Sequence, residues 1–528
     1  MIWKAQVSRG RRRSATHMAR LAGAGLIASA ILASCGSPGP TPTAGAAVPV
    51  PDDAAKHAVV LRNGDGKWDR YRSIARLRGA SDCTASLVDG GVASPAADQP
   101  AYVVTAGHCL ALLESNEVLV DATPAWEFTV TFDWFADTAA DKRREVKVRT
   151  INWATMKGTD LAILRLDATL GELEGAGFHP FALAKTALTK PAGVVNVGAP
   201  SMGAGEAEPY LRAGTCTADA TERLIREHDW TWREALRADC PDIYGGSSGS
   251  PVIDRATGEV VAVVNTTTAG STTGADCLIH RPCEVTDGTW KVQEDTAYVM
   301  PVWRLAACFD PHGVFALGGS CQLDPGTGAA VSGVPMMANP AAPAFGTRVV
   351  ATTWQAAVQG AGVVAYRTRT GPLGSTDCAD ESKYGPLVTV AQAPVVKDGL
   401  PGAPGIHVLC VLGYGADRSR LQAPRDAAVA ATIIDTVPPP QAQVDVMRDD
   451  AGAYVVQPHF GQPDWADVWF ATGPPGKVDC TDASAYRQFF TVAPRFEPGE
   501  LPVSMCVKAF DLAGNPAPVL KVDVPPVP

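Results

Sequence analysis

From residue 59 to about 323 the apolar residues come in short runs divided by turn formers: SLVDGGVA, AYVVTAG, EFTVTFDWF, DLAILRL, GVVNVGAP and SPVIDRATGEVVAVVN. Runs of this length, rich in Val, Ile, Phe and Thr and punctuated by Gly, Asp or Pro, suit strands and are too short for ordinary helices. Such a segment buries a core only by pairing strands, so a mainly β antiparallel barrel or sandwich is expected. The 51 Gly and 42 Pro supply the turns that this requires. One stretch departs from the pattern. In TERLIREHDWTWREALRADC, residues 221–240, Leu224, Ile225, Trp232 and Leu236 fall near helical spacing and predict a short helix.

A chain of 528 residues is too long for one core, and two to four domains are expected. A composition break, LDPGTGAAVSGVP at 323–335, precedes an internal repeat. RTRTGPLGSTDCADESKYG at 367–385 is echoed by WFATGPPGKVDCTDASAYR at 469–487, and in each the Cys is followed by another in a strand-like run. This predicts two tandem β-sandwich modules, at 336–435 and 436–528. The closing KAFDLAGNPAP is similar to the last strand of bacterial Ig-like or fibronectin-type modules. Neither repeat gathers His, Asp and Glu into a chemical cluster; the modules are expected to bind a protein or a glycan, or to act as spacers. The net charge of −10, with no basic stripe after the first twenty residues, argues against a nucleic-acid partner.

At the N-terminus Lys4, Arg9, Arg11, Arg12, Arg13 and Arg20 precede the apolar run LAGAGLIASAILA, which is too short to span a bilayer stably. It ends in LASC, Leu32 to Cys35, which resembles the lipobox of bacterial lipoproteins. That resemblance implies a signal peptide over 1–34 and lipidation of Cys35. The protein would then be exported and lipid-anchored in the bacterial cell envelope. Gly36 offers no inner-membrane retention signal of the Asp type, a lean towards the outer membrane or cell surface. Residues 35–58, dominated by Pro, Gly, Ala and Thr, read as an extended tether. Thirteen cysteines leave one over, and setting Cys35 aside leaves twelve. They fall into consecutive pairs: Cys83 with Cys109, Cys216 with Cys240, Cys277 with Cys283, Cys308 with Cys321, Cys378 with Cys410, and Cys480 with Cys506. Sequence does not fix connectivity, but an oxidising compartment would sustain such a framework.

Acyl transfer by serine needs a hydroxyl, a base to take its proton, and a carboxylate to hold that base in one tautomer. YVVTAGHCL places His108 directly after an apolar strand. KGTDLAILRLD places Asp160 at the head of another, and YGGSSGSPVID places Ser248 in a tight turn before a third. TAGHC, DLAIL and GSSGSP, in that order, resemble the signature segments of chymotrypsin-like (trypsin-fold) serine proteases. The resemblance covers roughly 70–310 and implies a two-barrel protease domain over 59–323. It implies a His108–Asp160–Ser248 triad, an oxyanion hole from the amides of Gly246 and Ser248, and an acyl-enzyme formed on a protein or peptide substrate. No metal or organic cofactor is expected, since no HExxH or comparable cluster occurs.

Two departures from the family pattern matter. Ser247 stands where trypsin-type zymogens place Asp, and no IVGG-like start lies upstream, so activation by N-terminal insertion is not expected. The SSGSP form is more similar to the bacterial branch that includes glutamyl and lysyl endopeptidases, and the oxyanion turn must be organised by other contacts. Asp242, six residues before Ser248, matches the pocket-floor position that selects Arg or Lys, although it could instead cap the turn. Asn265, Thr266 and Thr267 are expected to line the cleft. The competing expectation is a catalytically inactive protease fold serving as a surface adhesin or binding lipoprotein.

Overall fold

The computed structural model describes residues 48–525 apart from 92–97, 112, 203–208, 271–275, 460–464 and 490–492. The signal peptide and Cys35 lie outside the described residues. Among the described residues no helix is long and apolar enough to cross a membrane.

The short apolar runs do become strands. A seven-stranded sheet starts with Ile74–Arg78 and Asp82–Val88, and a direct pairing of Arg144–Thr155 with Leu161–Thr169 closes six of its strands into a barrel. A ten-stranded sheet follows. In it Arg212–Ala218 reaches across to Trp230–Ala238, so that its six central strands also form a closed ring. One continuous apolar core runs from the first barrel into the second, joining Leu77, Val103, Ile163, Val197, Ile253 and Met300.

The helix expected within 221–240 is instead a β-hairpin, Arg223–Glu227 with Trp230–Ala238, turning at His228 and Asp229. Trp230 and Trp232 are buried while Thr231 and Arg233 are only partly so, a period of two that the near-helical spacing of the aliphatic residues masked. His228 adopts a φ of 54°, as a two-residue hairpin turn requires. Residues 48–58 also differ from a free tether. Val48, Ala54 and Ala58 are buried, Thr215 N–H donates to Ala54 O at 2.7 Å, and the hydroxyl of Tyr71 donates to Pro49 O. Alanine and valine interspersed among the prolines give this stretch enough apolar surface to dock.

Each cysteine of the six neighbouring pairs is bridged to the partner expected of it. In the first barrel Cys83 bonds Cys109. In the second barrel and its flanking loops Cys216 bonds Cys240, Cys277 bonds Cys283, and Cys308 bonds Cys321. Beyond them Cys378 bonds Cys410 and Cys480 bonds Cys506. The Cys216–Cys240 bridge joins strand Arg212–Ala218 to the residues just after Trp230–Ala238, beside the pairing that closes the second ring. The Cys308–Cys321 bridge closes the loop after the last strand of that ring, Ala297–Pro301.

Beyond residue 323 come two further pairs of sheets. In the first, Val331, Ala356 and Val358 of a three-stranded sheet share a core with Tyr366, Leu409, Val411 and Ile434 of a five-stranded one. In the second, Val456 and Phe496 face Val468, Met505 and Val507. Trp354 lies wholly inside the first of these cores. Replacing Trp354 by Ala should cost about 3–5 kcal/mol of that module's stability, read by denaturant unfolding. A cost below about 1 kcal/mol would mean that Trp354 is not part of a close-packed core.

Candidate active site

Strand Pro100–Thr105 leads through Ala106 into one turn of 3-10 helix, Gly107–Cys109, which carries His108. Gly107 is needed for close approach: a Cβ there would lie 2.2 Å from Thr155 O and 3.0 Å from Asp160 Oδ1. The Cys83–Cys109 bridge ties this turn to the neighbouring strand. Asp160, immediately before strand Leu161–Thr169, is completely buried and grips His108 twice. Its Oδ1 accepts the His108 backbone N–H at 2.9 Å and its Oδ2 lies 2.6 Å from Nδ1. That second contact leaves Nε2 as the nitrogen with no hydrogen bond among the described residues, on a side chain 21% exposed.

The nucleophile candidate sits on the second barrel. Gly246 and Gly249 adopt φ values of 95° and 78°, so the turn through Ser248 is built around left-handed glycines. A Cβ on Gly249 would fall 2.1 Å from Thr105 Oγ1 and 2.9 Å from Ala106 N, which places the Ser248 turn directly against the segment that carries His108. No hydrogen bond joins Ser248 Oγ to His108 among the described residues. Catalytic hydrogen bonds are often loose without substrate. The N–H groups of Gly246 and Ser248 donate to no acceptor among the described residues. They are thus available to an incoming oxyanion.

The contact that organises this turn is one the sequence did not disclose. Thr84, on the first barrel, donates its hydroxyl to Gly246 O at 3.0 Å and accepts Ala199 N–H at 2.9 Å. Its own N–H donates to Ser248 O at 2.8 Å, and its carbonyl accepts Thr105 Oγ1 at 2.8 Å. Nothing local marks Thr84 beyond its place after Cys83 in a strand.

Asp242 is occupied inside the protein: Oδ2 accepts the Ala58 N–H at 2.7 Å and Oδ1 accepts the Tyr244 hydroxyl at 3.0 Å. Asn265 stands at an irregularity in strand Val260–Thr267, between the pairs Val264↔Val299 and Thr266↔Tyr298. It is 3% exposed, and neither polar atom of its side-chain amide has a partner among the described residues. Thr267 accepts Ala269 N–H and donates to Thr296 O. Thr266 hydrogen-bonds Glu227, a carboxylate that the sequence reading passed over. Glu227 ends the first strand of the hairpin at 223–238, is 6% exposed, and accepts His280 N–H at 2.7 Å.

For His108, burial is the largest influence and disfavours the cation, but the charge and hydrogen bond of Asp160, aided by Glu227, outweigh it and raise the pKa. Burial likewise pushes the Glu227 carboxyl up, against its hydrogen bonds and the nearby His108. Among the described residues the one grouping of three potential metal ligands is Cys83, His108 and Cys109. Both sulfurs there belong to a disulfide, so only the imidazole could donate.

Two measurements check this geometry. The NMR titration midpoint of His108 should lie above the ordinary 6.5 and move down in Glu227→Gln, because a raised pKa keeps the cation to higher pH and removing a nearby anion reverses that. A midpoint at or below 6.5 in the parent protein would contradict the pairing with Asp160. Gly249→Ala should destabilise the protein by about 2 kcal/mol or more, since its Cβ meets backbone as well as side chain at a φ that disfavours Ala.

The sequence was also compared with known proteins. Residues 83–263 match the family described as trypsin-like peptidase domain. Among solved structures, the protease Anisep from Arthrobacter nicotinovorans is similar at 15% identity and a TM-score of 0.29, covering 44% of this chain and 90% of that one. No curated protein sequence matches the chain. Residues 83–263 are a trypsin-like peptidase domain, a class consistent with serine protease activity on protein substrates.

Proposed function

We propose that this chain is a serine endopeptidase working through His108, Asp160 and Ser248. The observation that carries the reading is the pair of hydrogen bonds that the buried Asp160 accepts from His108, set beside a Ser248 turn whose two amides have no acceptor among the described residues. In this reaction the Nε2 of His108 takes the hydroxyl proton as Ser248 Oγ attacks the scissile carbonyl. The tetrahedral oxyanion is held by the N–H groups of Gly246 and Ser248. His108 then gives the proton to the leaving amine, and water, deprotonated by the same imidazole, releases the acyl group.

Binding of the substrate chain is assigned to Asn265, Thr266 and Thr267, where the strand irregularity re-aims side chains. A preference for Arg or Lys would have to come from a carboxylate other than Asp242, which already accepts two hydrogen bonds within the protein. Activation by a newly released N-terminus is not part of the proposal. Thr84 and the Ala58–Asp242 contact support the turn from within the chain. Export and anchoring through Cys35 complete the reading, and six disulfides are consistent with an oxidising compartment.

Ser248→Ala should abolish labelling by a fluorophosphonate and lower peptide hydrolysis by about 10⁴-fold or more. Stoichiometric labelling retained in that variant, or none in the parent protein, would refute the assignment.

A further inference from the structure

The first of the two C-terminal modules is joined to the peptidase domain by a shared core and by buried polar contacts on three separate elements. The hairpin of Cys283–Thr286 and Thr289–Lys291 lies on the module's larger sheet. Cys277, Cys283 and Val285 share one apolar cluster with Leu373, Ile406, Val408 and Cys410. At the hairpin turn Gly288 N–H donates to Leu373 O and Gly288 O accepts Ile406 N–H, both at 2.7 Å. Interfaces between domains of one chain are commonly small and mobile, but this one is continuous with the module's core.

The polar contacts fall beside the proposed catalytic groups. Asn116, in the loop that follows His108, donates to Val331 O at 3.2 Å and Val429 O at 3.0 Å and accepts Val429 N–H at 2.8 Å. Lys157, three residues before Asp160, has a side chain only 8% exposed; it reaches Asp324 Oδ2 and Asp426 O, each at 2.7 Å. Arg226, adjacent to Glu227, is wholly buried and donates to Ala431 O at 3.1 Å. Trp230 of the same hairpin donates to Leu113 O at 2.9 Å, closing the circuit back to the loop after His108.

We infer that the first C-terminal module is a positioning part of the peptidase, holding the loops that flank His108 and Asp160 through Asn116, Lys157 and Arg226. This rests on the serine endopeptidase reading. The module supplies mainly backbone carbonyls as acceptors, and those are fixed by its own sheet. The buried donors of the peptidase domain are thereby held against a rigid frame, and the imidazole and carboxylate stay in register with the Ser248 turn. Small misplacements of catalytic groups can lower a rate by about 10²-fold without any contact to substrate.

The test uses the full chain and Asn116→Ala, reading kcat and KM on a peptide, the fluorophosphonate acylation rate constant, and the thermal unfolding midpoint. Expected is a fall of about 10- to 100-fold in kcat and in the acylation rate constant, with KM within about 2-fold. Read well below the unfolding midpoint, where nearly every molecule is folded, the acylation rate constant separates misplacement from loss of folded protein. Asn339→Ala serves as the control, since it breaks the Asn339–Asn515 contact between the two modules and a local bond from Ala341 N–H, both away from the peptidase interface, and should leave hydrolysis unchanged. If Asn116→Ala does not fold, Asn116→Ser, which keeps one donor and one acceptor, is measured in the same way. Equal rates in the Asn116 variant and the parent, or an equal loss in Asn339→Ala, would overturn the inference. Absence of acylation in the parent would instead remove the serine endopeptidase reading on which it rests.

Discussion

The geometry of the site depends first on a carboxylate with no access to water. Asp160 is fully buried, and a buried anion left without partners would cost several kcal/mol. Its two oxygens are satisfied by the backbone and the ring of a single residue, His108. That requirement reaches outwards. The His108 turn must come close enough to be gripped, so Gly107 cannot carry a side chain. The turn must also be held there, and the Cys83–Cys109 bridge does so. With Nδ1 fixed towards Asp160, the imidazole presents Nε2, the nitrogen that a serine hydroxyl would need.

For the proposed reaction the His108–Asp160 pair on the first barrel needs the Ser248 turn of the second barrel held against it. Thr84 makes that connection. Its hydroxyl and backbone together hold Gly246 O, Ala199 N and Ser248 O, while its carbonyl is held by Thr105, two residues before Gly107. One residue therefore sets the Ser248 turn and the strand that leads to His108 against each other. The Gly246 and Ser248 carbonyls are tied down, while the amides of the same two residues donate to no acceptor among the described residues. Preorganised donors of this kind need no rearrangement when charge develops in a transition state.

Local chemistry explains what could be read from the sequence. Strand-length apolar runs, neighbouring cysteines and the segments around His108, Asp160 and Ser248 carry their meaning within a few residues. The hairpin at 223–238 was misread because Leu224, Ile225, Trp232 and Leu236 satisfy a helical period by coincidence, while the alternation of Trp230 and Trp232 governs their burial. Thr84, Asn116 and Glu227 gave no signal, because each is an ordinary polar residue whose partners are distant in the chain. Asn116 meets Val429 across 313 positions. Residues 48–58 look like a tether because they continue the Pro-, Gly- and Ala-rich run before them, yet Val48, Ala54 and Ala58 are buried and the backbone is hydrogen-bonded to Thr215 and Asp242.

The repeat carries a further lesson about what such similarity encodes. In both copies the shared DC.D.S.Y segment builds the same local device: the aspartate caps a short turn at the serine N–H, and the tyrosine hydroxyl donates to the carbonyl of the bridged cysteine. The face carrying that disulfide and tyrosine is covered differently in each. Around Cys378, Tyr384 and Cys410 it is covered by Cys277, Cys283 and Val285, from the segment between the last two strands of the second ring. Around Tyr486 and Cys506 it is covered by Phe345 from the preceding module, whose ring lies 5.0 Å from Tyr486 and 5.1 Å from Phe510. Each module thus turns the same face back towards the domain before it. The repeated segment specifies the apolar seat, and the preceding domain supplies the residue that fills it. A module built this way is half of an interface, which is why the first one can be continuous with the barrels before it rather than strung behind them.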